Sequence, residues 1–156
     1  MTIKDYEENG FNIFKSTVTA MRPEYTVTST NDYENREFNF LHYDADVVTP
    51  EGNHYEIEIK MREDYRLDDL PDFQIDERKI LKLQEDINEN KCERAFIATI
   101  YPFDGVIYMW EVYEDRTYPT TLEKRPDKTV GRTKYMEKRT VTLQFKDGSR
   151  IKIKKN

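Results

Sequence analysis

The chain has 156 residues, enough for one domain with one sizeable core. Apolar residues make up 37% and charged residues 36%. The 11 Tyr and 8 Phe fall in short blocks, with only five Gly and six Pro, which excludes a disordered or low-complexity chain.

No run approaches the ~18 apolar residues that cross a bilayer. The acidic N-terminus is unlike a signal peptide, and a single cysteine, Cys92, leaves no internal disulfide. These features set the expectation of a cytoplasmic protein without membrane contact. The net charge is −6 but unevenly spread. Residues 123–156 hold twelve Lys/Arg against four Asp/Glu, and residues 1–122 hold thirteen against twenty-seven. A basic tail suits phosphates, and an acidic body suits a cation.

In chain order, Ile3, Tyr6, Phe11, Phe14, Val18 and Met21 have helical spacing, which predicts a helix over 3–21 with a break near Gly10. Residues 25–29 are β-rich, 31–37 form a polar connector, and 38–49 are mostly extended. A turn at 50–52 leads to a return strand over 53–61, then an acidic loop over 64–71. Ile80, Leu83 and Ile87 form one stripe, with Leu81 beside it, predicting a helix over 75–90 with Asp76 or Gln74 near its start. Strands follow at 93–101 and 106–113. A final hairpin pairs 140–145 with 150–154, whose alternation gives a cationic face. The result is a mixed α/β domain over 1–156, with its core in about 1–113 and a basic extension over about 114–156.

The chemistry lies in the first hairpin. Residues two apart in a strand point the same way, so Glu56, Glu58 and Lys60 share one face and Ile57 and Ile59 the other. Asp44 and Asp46 also share a face. Pro50-Glu51-Gly52 suits a three-residue loop with Gly52 in the left-handed position. That loop pairs Thr49 with Asn53, sets Asp46 opposite Glu56, and sets Asp44 opposite Glu58. Opposed pairs sit ~5 Å apart, and opposed like charges destabilise a sheet. A hard divalent cation resolves the crowding, because Mg²⁺ takes a few carboxylates and keeps several waters. A lysine two residues past a ligand orients water or stabilises phosphate charge.

These residues resemble the PD-(D/E)XK nuclease superfamily, especially its small phage-type or bacterial members. The matching positions are Asp44 or Asp46 on one strand, then Glu58-Ile59-Lys60, with Arg62 after them. Residues 75–83 resemble the helix that follows the motif strand, and 96–100 and 106–112 the last two core strands. The resemblance covers about residues 1–113. No Pro precedes either aspartate. It implies a restriction-endonuclease-like mixed central sheet with flanking helices (αβββαββ), followed here by a C-terminal β-hairpin.

The resemblance further implies a Mg²⁺- or Mn²⁺-dependent deoxyribonuclease, with DNA as partner and a homodimer as a common assembly. The metal would be held by Asp46 or Asp44, Glu58 and the backbone carbonyl of Ile59, with Lys60 catalytic. The turn favours Asp44, and the pattern Ala45-Asp46-Val47-Val48 favours Asp46, which ranks first as the catalytic aspartate with Asp44 as the alternative. A catalytically inactive nucleic-acid-binding or assembly module of the same fold is the alternative.

Other residues carry competing readings. Glu7 or Glu8 would complete the metal site or be solvated helix charges. Lys79 or Gln84 would approach the phosphate from the second helix. Arg62, Arg150, Lys152 and Lys154 would bind nucleic acid, although the last three also suit a solvated edge strand. Tyr65 and Arg66 read as a loop near a substrate strand, and Trp110 as core. His42 and His54 have no suitably spaced Cys to make a zinc site, and Cys92 reads as a buried filler. No phosphate loop, dinucleotide fingerprint or nucleophile elbow is present.

Overall fold

The computed structural model describes residues 3–33, 43–126 and 135–154. His42, the extended run over 38–42, the connector over 34–37 and Lys155 lie outside them. The elements are α1 (Ile3–Met21), β1 (Thr26–Ser29), β2 (Ala45–Val48), β3 (His54–Met61), β4 (Phe73–Asp76), α2 (Glu77–Asn88), β5 (Arg94–Tyr101), β6 (Val106–Val112), β7 (Thr120–Pro126), β8 (Tyr135–Leu143) and β9 (Ser149–Lys152). The expected mixed α/β class is found. Six strands form one sheet in the order β1-β2-β3-β5-β6-β9, and β4-β8-β7 form a second. β3 and β5 run parallel, and the other pairings described are antiparallel. No helix among the described residues is long and apolar enough to cross a membrane.

Strand alternation divides the core into two. On one face, Phe11 and Phe14 of α1 cover Val27, Ala45, Val47, Ile57, Ala98, Ile100 and Ile107. On the other, Ile80 and Leu83 of α2 join Phe73, Ile75, Ala95, Ile97, Trp110, Val112, Val141 and Leu143. Glu56, Glu58 and Lys60 alternate with Ile57 and Ile59, so they fall on the α2 side.

α1 runs unbroken through Gly10, where the sequence predicted a break. The reason is close packing on β3. A Cβ at Gly10 would meet Met61 Sδ at 3.5 Å and Ile59 Cγ2 at 3.6 Å. The Tyr6 hydroxyl secures the same junction, donating to Met61 O at 3.1 Å and accepting the Glu63 N–H at 3.1 Å.

Two sequence expectations need correction. The second helix starts at Glu77 rather than at 75, because residues 73–76 are extended and pair with β8. Asp76 then caps α2, its Oδ1 accepting the Arg78 N–H at 3.0 Å. The C-terminal β-hairpin does not form either. β8 pairs with β4 and β7, whereas β9 joins the edge of the large sheet beside β6. The chain crosses between sheets at Trp110, whose Nε1 donates to Gln144 O at 2.8 Å. Gly148 lies so close that a Cβ would stand 2.8 Å from that nitrogen. Ile151 and Ile153 then pack on the α1-side core, which anchors β9 there. Val141 and Leu143 are core residues, so this basic segment is built into both sheets.

Candidate active site

The site is built by the β2–β3 turn. Thr49 donates its N–H to Asn53 O at 2.9 Å, and Gly52 donates to Thr49 O at 2.9 Å. Gly52 has φ +85°, the left-handed conformation expected of it. The resulting register pairs Asp46 with Glu56 and Ala45 with Ile57. Beyond Ala45 the ladder changes. Asp44 still donates its N–H to Ile57 O at 2.8 Å. Ile59, however, donates its N–H to the carboxylate Oδ2 of Asp44 at 2.8 Å. The Asp44 side chain therefore takes the place of a main-chain acceptor and comes to lie beside Glu58. Thr30, one residue past β1, holds this junction, its hydroxyl donating to Tyr43 O at 2.7 Å.

Glu58 is only 3% exposed. Its Oε1 lies 3.5 Å from Lys60 Nζ and 3.4 Å from Lys79 Nζ. Its Oε2 is buried and has no hydrogen-bond partner among the described residues. A buried carboxylate oxygen in that state costs free energy unless a cation or donor meets it. Burial first, and the Glu58 charge second, push the Asp44 carboxyl up to about 7, with the Ile59 N–H and both lysines acting the other way. Glu7, at the rim on α1, is also raised, first by partial burial and then by Glu58, against Lys60 and Lys79. Asp44, Glu58, Lys60, Lys79 and Glu7 thus sense one another as one group. Glu8 is not among them.

Asp46 enters a different group. His54 Nε2 stands 2.5 Å from Asp46 Oδ1, and His54 Nδ1 stands 2.9 Å from Lys91 O. Glu56, 2% exposed, hydrogen-bonds Asp86, 4% exposed. Burial first, then Asp86, raises the Glu56 carboxyl. Lys91 Nζ stands 3.9 Å from Asp86 Oδ1. Asp86 escaped the sequence reading, yet it lies three residues past Leu83 and six past Ile80, on the buried stripe of α2. Lys79, Leu83 and Asp86 thus present one helix face to the carboxylates of β3.

The remaining candidates lie elsewhere. Gln84 Nε2 donates to Tyr113 O at 2.9 Å and Arg116 O at 2.7 Å, so it fastens the loop after β6. Arg150 and Lys152 lie in β9 at the far edge, paired with Tyr108 and Val106. Three strand spacings, about 14 Å, separate that edge from β3. The backbone of Lys154 is tied to the Thr17 hydroxyl of α1. Arg62 stays close, just past β3, with its guanidinium over the Phe73 ring. Trp110 is buried and stacks on Phe73. Burial pushes the Cys92 thiol up to about 12, with the Glu56 and Asp86 charges adding to it, which makes it a poor nucleophile.

Among the described residues, no three His, Cys, Asp or Glu side chains gather as a ready ligand set. A hard divalent ion retains several waters, however, and needs few carboxylates. Asp44 and the partnerless Oε2 of Glu58 supply oxygen donors of that kind on one face, beside the Ile59 backbone. Compared with known proteins, the chain matches no family model, no curated protein and no solved structure.

Proposed function

We propose that this chain is a Mg²⁺- or Mn²⁺-dependent nuclease that hydrolyses phosphodiester bonds of DNA, on a restriction-endonuclease-like sheet. With β4 set aside, the elements run helix, three strands, helix, two strands up to β6, the order that this fold requires. The observation that carries the reading is the buried Oε2 of Glu58, without a hydrogen-bond partner among the described residues, beside Asp44 and flanked by two lysines.

In this reading Asp44 and Glu58 are the metal-holding carboxylates, with the Ile59 carbonyl beside them. Asp46, held by His54, supports the neighbouring strand pair. A bound divalent ion would polarise the phosphate and favour ionisation of a water. Lys60 sits at the solvent side of Glu58 and stabilises charge that builds on the phosphoryl oxygens, a contribution of about 10²–10³ in rate for one well-placed donor. Lys79 approaches from α2 and balances the second carboxylate charge. Cleavage of labelled single-stranded and duplex DNA, with and without Mg²⁺ or Mn²⁺, tests the reading. Glu58→Ala and Lys60→Ala should each lose activity. A Lys60→Ala variant that cuts as fast as wild type would sink the mechanism.

One observation favours the second reading, an inactive binding or assembly module of the same fold. Both Lys60 and Lys79 close on Glu58 Oε1 and offset its charge without any metal. Under that reading, Mn²⁺ titration shows no saturable site that Glu58→Ala removes.

A further inference from the structure

The chain that follows β3 builds a cavity that begins at Arg62, two residues past Lys60. Arg62 donates its N–H to Ile100 O at 2.8 Å, so the pairing with β5 continues one residue past β3. Arg62 therefore follows Glu58 and Lys60 on the α2 side, about 7 Å beyond Lys60. Its guanidinium lies over Phe73, 5.0 Å from the ring centroid. Next to it opens a cavity of about 220 Å³, lined in part by Tyr65, Arg66, Leu70, Tyr101 and Phe145. The place is the carboxyl end of the parallel pair β3 and β5, where α/β sheets hold ligands. Its lip is apolar and open at Tyr65, 45% exposed, and Leu70, 49% exposed; Phe103, 60% exposed, lies outside the lining. Arg66 stands over Phe103 at 5.3 Å.

Aromatic faces interleaved with guanidinium groups are the chemistry that receives unpaired nucleobases. The base stacks, and arginine meets either the ring or the phosphate. Bases inside a duplex are already stacked and paired, and they reach such a cavity only after unpairing. The loop is rich in acids, and one of them, together with Asp104 of the β5–β6 turn, holds its backbone. Asp69 accepts the Arg66 N–H and Asp104 the Leu67 N–H, each at 2.7 Å. Asp72, at the cavity wall, supplies an acceptor for an amino group on a base.

We propose that this cavity holds the base of an unpaired nucleotide adjoining the phosphate at Lys60, which makes single-stranded or frayed DNA the substrate. The proposal rests on the nuclease reading for what happens to that phosphate, and its test separates the two. Fluorescence anisotropy in EDTA compares a labelled single strand, its duplex, and a strand of the same length made of abasic sugars. The expected result is tightest binding to the normal single strand. Tyr65→Ala combined with Arg66→Ala should weaken that binding about tenfold, the scale of one stacked base, and leave duplex binding unchanged. Phe103→Ala, at a largely exposed position beside Arg66, gives a milder loss and guards against misfolding of the double variant. Abasic and normal strands bound equally, or single-strand binding untouched by all three substitutions, would overturn the proposal. Parallel cleavage in Mg²⁺ reads the nuclease. Base-dependent binding without cutting removes the nuclease reading and keeps the cavity. Cutting of duplex and single strand at equal rates by wild type and variants removes the cavity and keeps the nuclease.

Discussion

Replacing Asp44 by Asn should stabilise the metal-free protein above neutral pH, although it removes a charge from the site. Asn retains an oxygen for the Ile59 N–H while ending the repulsion from Glu58. The size follows from linkage. The folded protein raises the Asp44 carboxyl from an ordinary value near 3.8 to about 7. Between those values the folded state binds a proton that the unfolded state releases. Stability from this group is therefore greatest at low pH, falls as pH rises through that window, and levels off above it. At about 1.4 kcal/mol per unit, the loss is on the order of 4 kcal/mol, and relaxation around a charged Asp44 brings it nearer 2 kcal/mol. Urea unfolding in EDTA at pH 5 and pH 8 measures it. Asp44→Asn should gain about 2–4 kcal/mol over wild type at pH 8 and much less at pH 5. Equal pH slopes for the two proteins, or a variant weaker than wild type at pH 8, would refute the raising of the Asp44 carboxyl by burial and by Glu58.

Three further outcomes follow from packing. Gly10→Ala should stabilise the protein by about 0.5–1 kcal/mol in thermal unfolding, because the added Cβ meets Met61 and Ile59 at ordinary contact distances; Gly10→Leu, which must push α1 off β3, should destabilise it. Gln84→Ala should cost about 1 kcal/mol by releasing the carbonyls of Tyr113 and Arg116, with cleavage unchanged; a large loss of cleavage at full stability would place Gln84 in the site after all. Asp86→Ala removes a hydrogen-bond partner from buried Glu56 and should cost about 1–3 kcal/mol in urea unfolding, while Mn²⁺ titration at Glu58 stays the same.

What the sequence made legible was local. Pro50-Glu51-Gly52 dictated a turn, the turn dictated a register, and the register placed Asp46 against Glu56. Asp76 was legible beside Gln74 as a residue near the helix start, and it is the cap because its short acceptor satisfies an orphan N–H group. What the sequence concealed was set by distant partners. Residues 75 and 76 read as the beginning of a helix, because the extended state of 73–76 depends on β8, more than sixty residues away. The C-terminal hairpin looked sound locally, yet Trp110 and Gly148 direct its two halves to different sheets. Asp86 was hidden for another reason. A carboxylate on an apolar stripe makes sense only once Glu56 is known to lie beneath it. The turn already set Asp44 opposite Glu58; what no pattern carries is the Ile59 N–H going to the Asp44 carboxylate in place of a carbonyl.

The most direct test of the nuclease reading is calorimetric titration of Mn²⁺ into wild type and Glu58→Gln at pH 8, followed by DNA cleavage in the same buffer. The reading requires one saturable site in wild type, its loss in Glu58→Gln, and cleavage that appears only with metal and only in wild type. Saturable binding that survives Glu58→Gln, or metal-saturated wild type that leaves single-stranded and duplex DNA intact, would contradict it.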